Sequence, residues 1–142
     1  MNLIETPQTR CLAAIARADI TPPVGIYHRM WGAATHDRAT GVHKPILATL
    51  LWLEPAEGDE GRSLCIVSLD HCILDGPDIE LMERSIADAV AIRPGQTLIT
   101  LSHTHAAGLM SRSRADQPGG DLIGSYLNSV ATRFGRLAVE AI

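Results

Sequence analysis

Two rhythms of apolar positions divide the chain. Short, mostly apolar runs occupy residues 12–18, 46–54, 63–70 and 97–102, and runs of this length predict strands, the denser ones buried on both faces. Between the third and fourth runs, Ile79, Met82, Ile86 and Val90 recur at three- and four-residue intervals, the spacing of one apolar helix face. That helix is predicted to open at Asp75, Gly76 and Pro77 and to stop at Pro94 and Gly95, with proline near the start and glycine past the end. A second helix follows "DQPGG". Asp121 is its candidate cap, and Ile123, Leu127, Val130, Phe134, Leu137 and Ala141 form its apolar face.

The connections order these elements. "DITPPVG" ends the first strand, because Pro22, Pro23 and Gly25 enforce a turn. The acidic, glycine-containing "PAEGDEGR" suits an exposed connection and makes runs 46–54 and 63–70 an antiparallel hairpin. Run 63–70, the helix and run 97–102 then read as a right-handed crossover between parallel strands, a unit that puts functional loops at the carboxyl ends of its strands. The expectation is an α/β fold: a mixed β-sheet with a β-hairpin and a parallel βαβ unit, helices packed on the sheet. The last helix runs to Ile142 without a following glycine, asparagine or proline stop, so residues 1–142 are expected to be part of a larger domain, truncated at the C-terminus. The segment "YHRMWGAATHDRATGV" has no clear period, carries Trp31, and is a candidate wall of a site.

Composition narrows the function. Of 142 residues, 46% are hydrophobic and 20% charged, a balance that argues against disorder. The formal net charge of -4 offers no basic surface for nucleic acid or an anionic membrane, so small-molecule or protein partners are expected. Cys11, Cys65 and Cys72 are odd in number, and two lie in or beside an apolar run where a free thiol packs as a small hydrophobe; a reduced chain is expected. Glu5 and Pro7 interrupt any leader-like apolar core, and the longest apolar stretch, residues 46–53, is too short for a transmembrane helix. A cytoplasmic location is the corresponding expectation. With aromatic residues at 4%, there is little sign of a membrane-interface belt.

The chemistry concentrates in "LITLSHTHAAG". His103 and His105 end a strand with one residue between them, so both imidazoles can enter one small volume, as a divalent metal requires. Histidines at strand ends also cap loops, and a zinc site needs about three or four ligands, so the pair alone does not complete one. Asp70 ends the neighbouring predicted strand; it is a candidate to orient an imidazole from behind or, equally, to satisfy local backbone amides. His43 in "GVHKP" is placed to line the same edge, whereas His28 and His36 lie in the long loop and are expected to be solvated. Arg112 and Arg114 are candidates for carboxylate or oxyanion binding. Gly119 and Gly120 precede a helix, but Asp121 would repel an anion there.

In order, "ARADITPPVG", "ATGVHKPILATLLWLE", "CIVSLD" and "LITLSHTHAAG" resemble the opening of the N-terminal domain of the neutral, non-lysosomal ceramidase family. The four blocks span most of the chain. The departures are Ser102 for the first threonine of the family's Thr-His-Thr-His motif, Ala106-Ala107-Gly108 for its Ser-Gly-Pro, and Lys44 for an aspartate. The resemblance implies a zinc-dependent hydrolase of N-acyl amide bonds, the best-known members splitting ceramide into a fatty acid and a sphingoid base. It makes His103 a zinc ligand and His105 a catalytic residue that faces the substrate and stabilises the tetrahedral oxyanion. It also implies that the remaining ligands, a second histidine, a glutamate and a tyrosine, come from a C-terminal remainder. Two alternatives stay open: a metal-free binding or scaffold module of the same fold, and a different metallohydrolase completed by a second chain.

Overall fold

The computed structural model describes residues 10–57 and 62–142; Glu5, Pro7 and part of the acidic connection after the second strand lie outside them. Strands β1 (Cys11–Asp19), β2 (Leu47–Pro55) and β3 (Leu64–Leu69) are followed by helix α1 (Gly76–Ala89), strand β4 (Thr97–Leu101), a single 3-10 turn (Arg112–Arg114) and helix α2 (Asp121–Ala141). The sheet order is β1-β2-β3-β4. Its first two pairings are antiparallel and the third is parallel, so the fold is the mixed α/β arrangement read from the sequence. The strand before "DITPPVG" proves to be an edge strand laid along the hairpin.

Both faces of the sheet are apolar, which explains the unbroken pattern of β2. On the inner face Ala48, Leu50 and Trp52 of β2 and Cys65, Val67 and Leu69 of β3 are buried in one cluster with Met82 and Ile86 of α1. Six α2 residues of the predicted stripe, Ile123, Leu127, Val130, Phe134, Leu137 and Ala141, join the same core. On the outer face one row, Ile15, Leu51, Ile66 and Leu98, crosses all four strands in register. Full burial of such aliphatic side chains contributes roughly 1.5–3 kcal/mol each, which makes the inner cluster the dominant stabilising term.

Helix α1 ends one turn short of the predicted stop. Val90 is its C-cap in extended conformation (φ -138, ψ 150) rather than part of the apolar face. Val90 and Ile92 are β-branched, and Pro94 disfavours the helical conformation of the residue before it, so the chain leaves the helix before proline compels it to. At the other end, Gly120 rather than Asp121 is the N-cap of α2. Among the described residues no helix is long and apolar enough to cross a membrane.

The two arginines considered as anion binders hold the fold instead. Arg112 Nε donates to the buried carboxylate of Asp78 at 2.7 Å and Nη2 donates to Asn128 at 2.7 Å, tying the 3-10 turn to both helices. Arg114 donates to the Tyr27 hydroxyl at 3.2 Å and lies over the same ring. Gly119 adopts φ +83, and a Cβ there would run into the Gly25 carbonyl oxygen. Only glycine accepts both the backbone angle and the close approach, so the Gly-Gly pair is a packing device.

Candidate functional site

The parallel pairing decides what can meet. With Leu69 opposite Leu101, the loops leaving β3 and β4 emerge side by side, and Ser102 N–H extends the ladder to the Leu69 carbonyl at 3.0 Å. Residues 70–72 and 102–105, far apart in the chain, therefore share one edge of the sheet. His103 stands there with φ 58, the one non-glycine residue in the left-handed region among those described. For a side-chain-bearing residue that conformation costs about 1–2 kcal/mol, and strain of this kind concentrates where a side chain must be aimed.

His103, His105 and Cys72 converge. One ligand atom from each lies within 4.8 Å of the others. The His103 and His105 rings are 5.1 Å apart between centroids, tilted by 57°. Cys72 Sγ lies 3.7 Å from His103 Nδ1 and 3.6 Å from its Nε2. His105 in turn packs on Trp31, with 3.8 Å between centroids, so the long irregular loop does supply a wall. Cys72 is buried, His105 half-buried and His103 exposed, a gradient that opens the group toward solvent on the His103 side.

A second loop contact fixes the strand-end turn. His28 Nε2–H donates to the Ala106 carbonyl at 2.8 Å, and a Cβ on Gly108 (φ +75) would sit 3.0 Å from His28 Cα. His28, expected to be solvated, thus clamps the turn that carries His105. Beside the histidine pair a cleft of about 590 Å³ is lined by His28, His43, Asp70, Thr104 and Ala106, among others. His43 does reach this edge. Asp70 also faces the cleft, and its Oδ2 accepts the Leu47 N–H at 3.0 Å, pinning the entry of β2.

His71 points the other way, into the core, and is fully buried. Its Nε2–H donates to the Tyr126 hydroxyl at 2.7 Å, and Tyr126 donates onward to the Ile20 carbonyl at 2.6 Å. Its Nδ1 is buried without a partner. Burial drives the His71 pKa from 6.5 down to about 4, the Asp70 charge opposing that shift; burial pushes the Tyr126 phenol up, with Asp19 adding in the same sense. This relay ties the loop after β3 to α2 and to the end of β1.

The donor set suits zinc. Imidazole nitrogen and cysteine sulfur are its preferred ligands, and with bond lengths of about 2.3 Å to sulfur and 2.0–2.1 Å to nitrogen, a tetrahedral edge between the two is about 3.6 Å. The observed separations are 3.6 and 3.7 Å. Sequence reasoning singled out both histidines and missed Cys72. The available signal was its position just past the carboxyl end of the strand that pairs in parallel with the histidine-bearing one.

No protein-family profile matches the chain, and no curated protein matches it in sequence. Solved structures do. Over 94% of its length the chain superimposes on a ceramidase complexed with C2, with a TM-score of 0.65 and 17% identity. The fold is shared with solved ceramidases. Neutral ceramidase from Pseudomonas aeruginosa matches similarly, with a TM-score of 0.64, 18% identity and 95% of the chain covered. In each case the chain spans 22% of the length of the ceramidase.

Proposed function

We propose that the protein is a ceramidase-like, zinc-dependent hydrolase of N-acyl amide bonds, acting at the strand ends that carry His103 and His105. The observation that carries this reading is the convergence of the two imidazoles with a buried thiol on a fold shared with ceramidases. His103 is the metal ligand, held toward the site by its left-handed backbone. A zinc ion bound there would polarise an amide carbonyl and lower the pKa of its water.

The chain's own residues do the rest of what can be assigned. His105, braced against Trp31, presents a ring N–H to the carbonyl oxygen as negative charge develops on it; a donor of this kind is typically worth about 2.7–4 kcal/mol of transition-state stabilisation. His28 holds the turn beneath His105 through Ala106, so the donor is in position before substrate arrives. Asp70 faces the adjoining cleft and is the candidate partner for an imidazole or for the substrate's amide N–H. The cleft between Thr104 and His43 is the natural seat for the acyl chain or the amine. Further ligands and the remainder of the substrate site come from chain beyond these residues, in keeping with the 22% share of each ceramidase that this chain spans.

The test is hydrolysis of a series of N-acyl amides, ceramides included, by the natural gene product, with zinc quantified on the same sample. Loss of both zinc and activity in His103→Ala, and loss of activity with zinc retained in His105→Ala, are the expected results. Full activity in His103→Ala overturns the reading.

A further inference from the structure

We infer that Cys72 is a second ligand to the metal held by His103, in place of one of the donors that the resemblance expects from further along the chain, so that the ion is bound through a thiolate from these residues. The inference rests on the metal site proposed above and adds to it a donor from the loop after β3.

Three observations carry it. First, Cys72 Sγ is nearly equidistant from the two ring nitrogens of His103, 3.7 and 3.6 Å. Sulfur at this range of both nitrogens is close enough to share an ion with whichever nitrogen does not carry the ring proton. Second, the separation matches the sulfur–nitrogen edge of a tetrahedral zinc site, about 3.6 Å. Third, Cys72 is only 6% exposed, yet its sulfur sits with the two imidazoles rather than among the aliphatic side chains of the core. Cys65, near the start of β3, shows the alternative: it is fully buried in the inner cluster.

The chemistry is balanced by one proton. Binding exchanges the S–H bond of Cys72 for a sulfur–metal bond, and the proton leaves to solvent through the open His103 side. The thiolate cancels one of the two positive charges of the ion. A soft sulfur donor beside imidazole selects zinc or cobalt over magnesium, calcium or manganese, so the site is expected to load zinc in the presence of a large excess of magnesium.

The experiment is a cobalt titration of the metal-free protein followed by absorbance, with zinc affinity measured by competition against a chromophoric chelator. The expected result is a near-ultraviolet sulfur-to-cobalt charge-transfer band that survives in Cys11→Ser and disappears in Cys72→Ser. Zinc affinity in Cys72→Ser should fall by more than the roughly 10–100-fold that loss of a merely supporting partner costs. Circular dichroism of the metal-free variant checks that it is folded; if it is not, a band that survives in both Cys11→Ser and Cys65→Ser assigns the sulfur to Cys72. Cobalt bound without a charge-transfer band, and abolished by His103→Ala, overturns the thiolate ligand while leaving the histidine site standing. No binding of either metal overturns both.

Discussion

The buried imidazole of His71 makes the stability of the fold depend on pH in a defined direction. Its pKa is about 4 in the folded protein against 6.5 when exposed, because burial disfavours the charged ring. Between these values the unfolded chain carries the extra proton and the folded chain does not, so stability is full above the exposed value and is lost as pH falls toward the folded one. Unfolding free energy should drop by about 2 kcal/mol from pH 8 to pH 5, and by about 3 kcal/mol once titration is complete. Asp19, whose pKa is lowered by its hydrogen bonds from Thr21, loses its contribution only below the ordinary carboxylate value of 3.8, outside that window. Urea unfolding of metal-free protein, followed by tryptophan fluorescence at half-unit pH steps, measures the slope. In His71→Gln the side chain still donates toward Tyr126 but cannot take up a proton, and the drop above pH 5 should vanish. A wild-type curve that is flat from pH 8 to 5, or an unchanged slope in His71→Gln, refutes the reasoning.

Other perturbations test the packing around the site. Arg112→Ala leaves the Asp78 carboxylate, 3% exposed, without its guanidinium; because that arginine is itself 43% exposed, water partly replaces it, and urea denaturation should show a loss of about 2 kcal/mol. Gly119→Ala forces a side chain onto a backbone at φ +83 and into the Gly25 carbonyl, and should cost at least about 2 kcal/mol by the same measurement. Relief of the left-handed strain at His103 should make His103→Gly more stable than His103→Ala by about 1 kcal/mol in thermal unfolding, with metal binding lost in both; equal stabilities would refute the strain.

What could be read in advance follows from the range of the interactions involved. The hairpin, the parallel crossover and the stripe of α2 declare themselves through local periodicity, and the structure builds them as β2–β3, β3–α1–β4 and α2. Val90 breaks the pattern because helix period says where an apolar face would continue, whereas β-branching and a coming proline decide whether the backbone continues. The partner of β1 is a long-range fact that no local signal carries. Arg112 and Arg114 stand in the sequence only as candidate binders because their partners, Asp78, Asn128 and Tyr27, lie on other elements. Cys72 was legible as a buried thiol and illegible as a neighbour of His103, which stands 31 residues on; only the parallel pairing of β3 and β4 joins them.

That pairing also works as a length gauge. Each residue of strand advances the chain by about 3.3 Å, while a functional constellation tolerates displacements on the order of 0.5 Å. A slip of β4 by a single residue would carry His103 several times beyond that tolerance and turn every side chain of the strand to the opposite face. Strand β4 has five residues with which to hold its place. It does so with the inward, half-buried Thr97, Ile99 and Leu101 and with the Thr100 hydroxyl donating to the Val67 carbonyl at 3.2 Å. Side chains outside the Cys72, His103 and His105 group thus fix the register on which the meeting of a thiol and an imidazole depends.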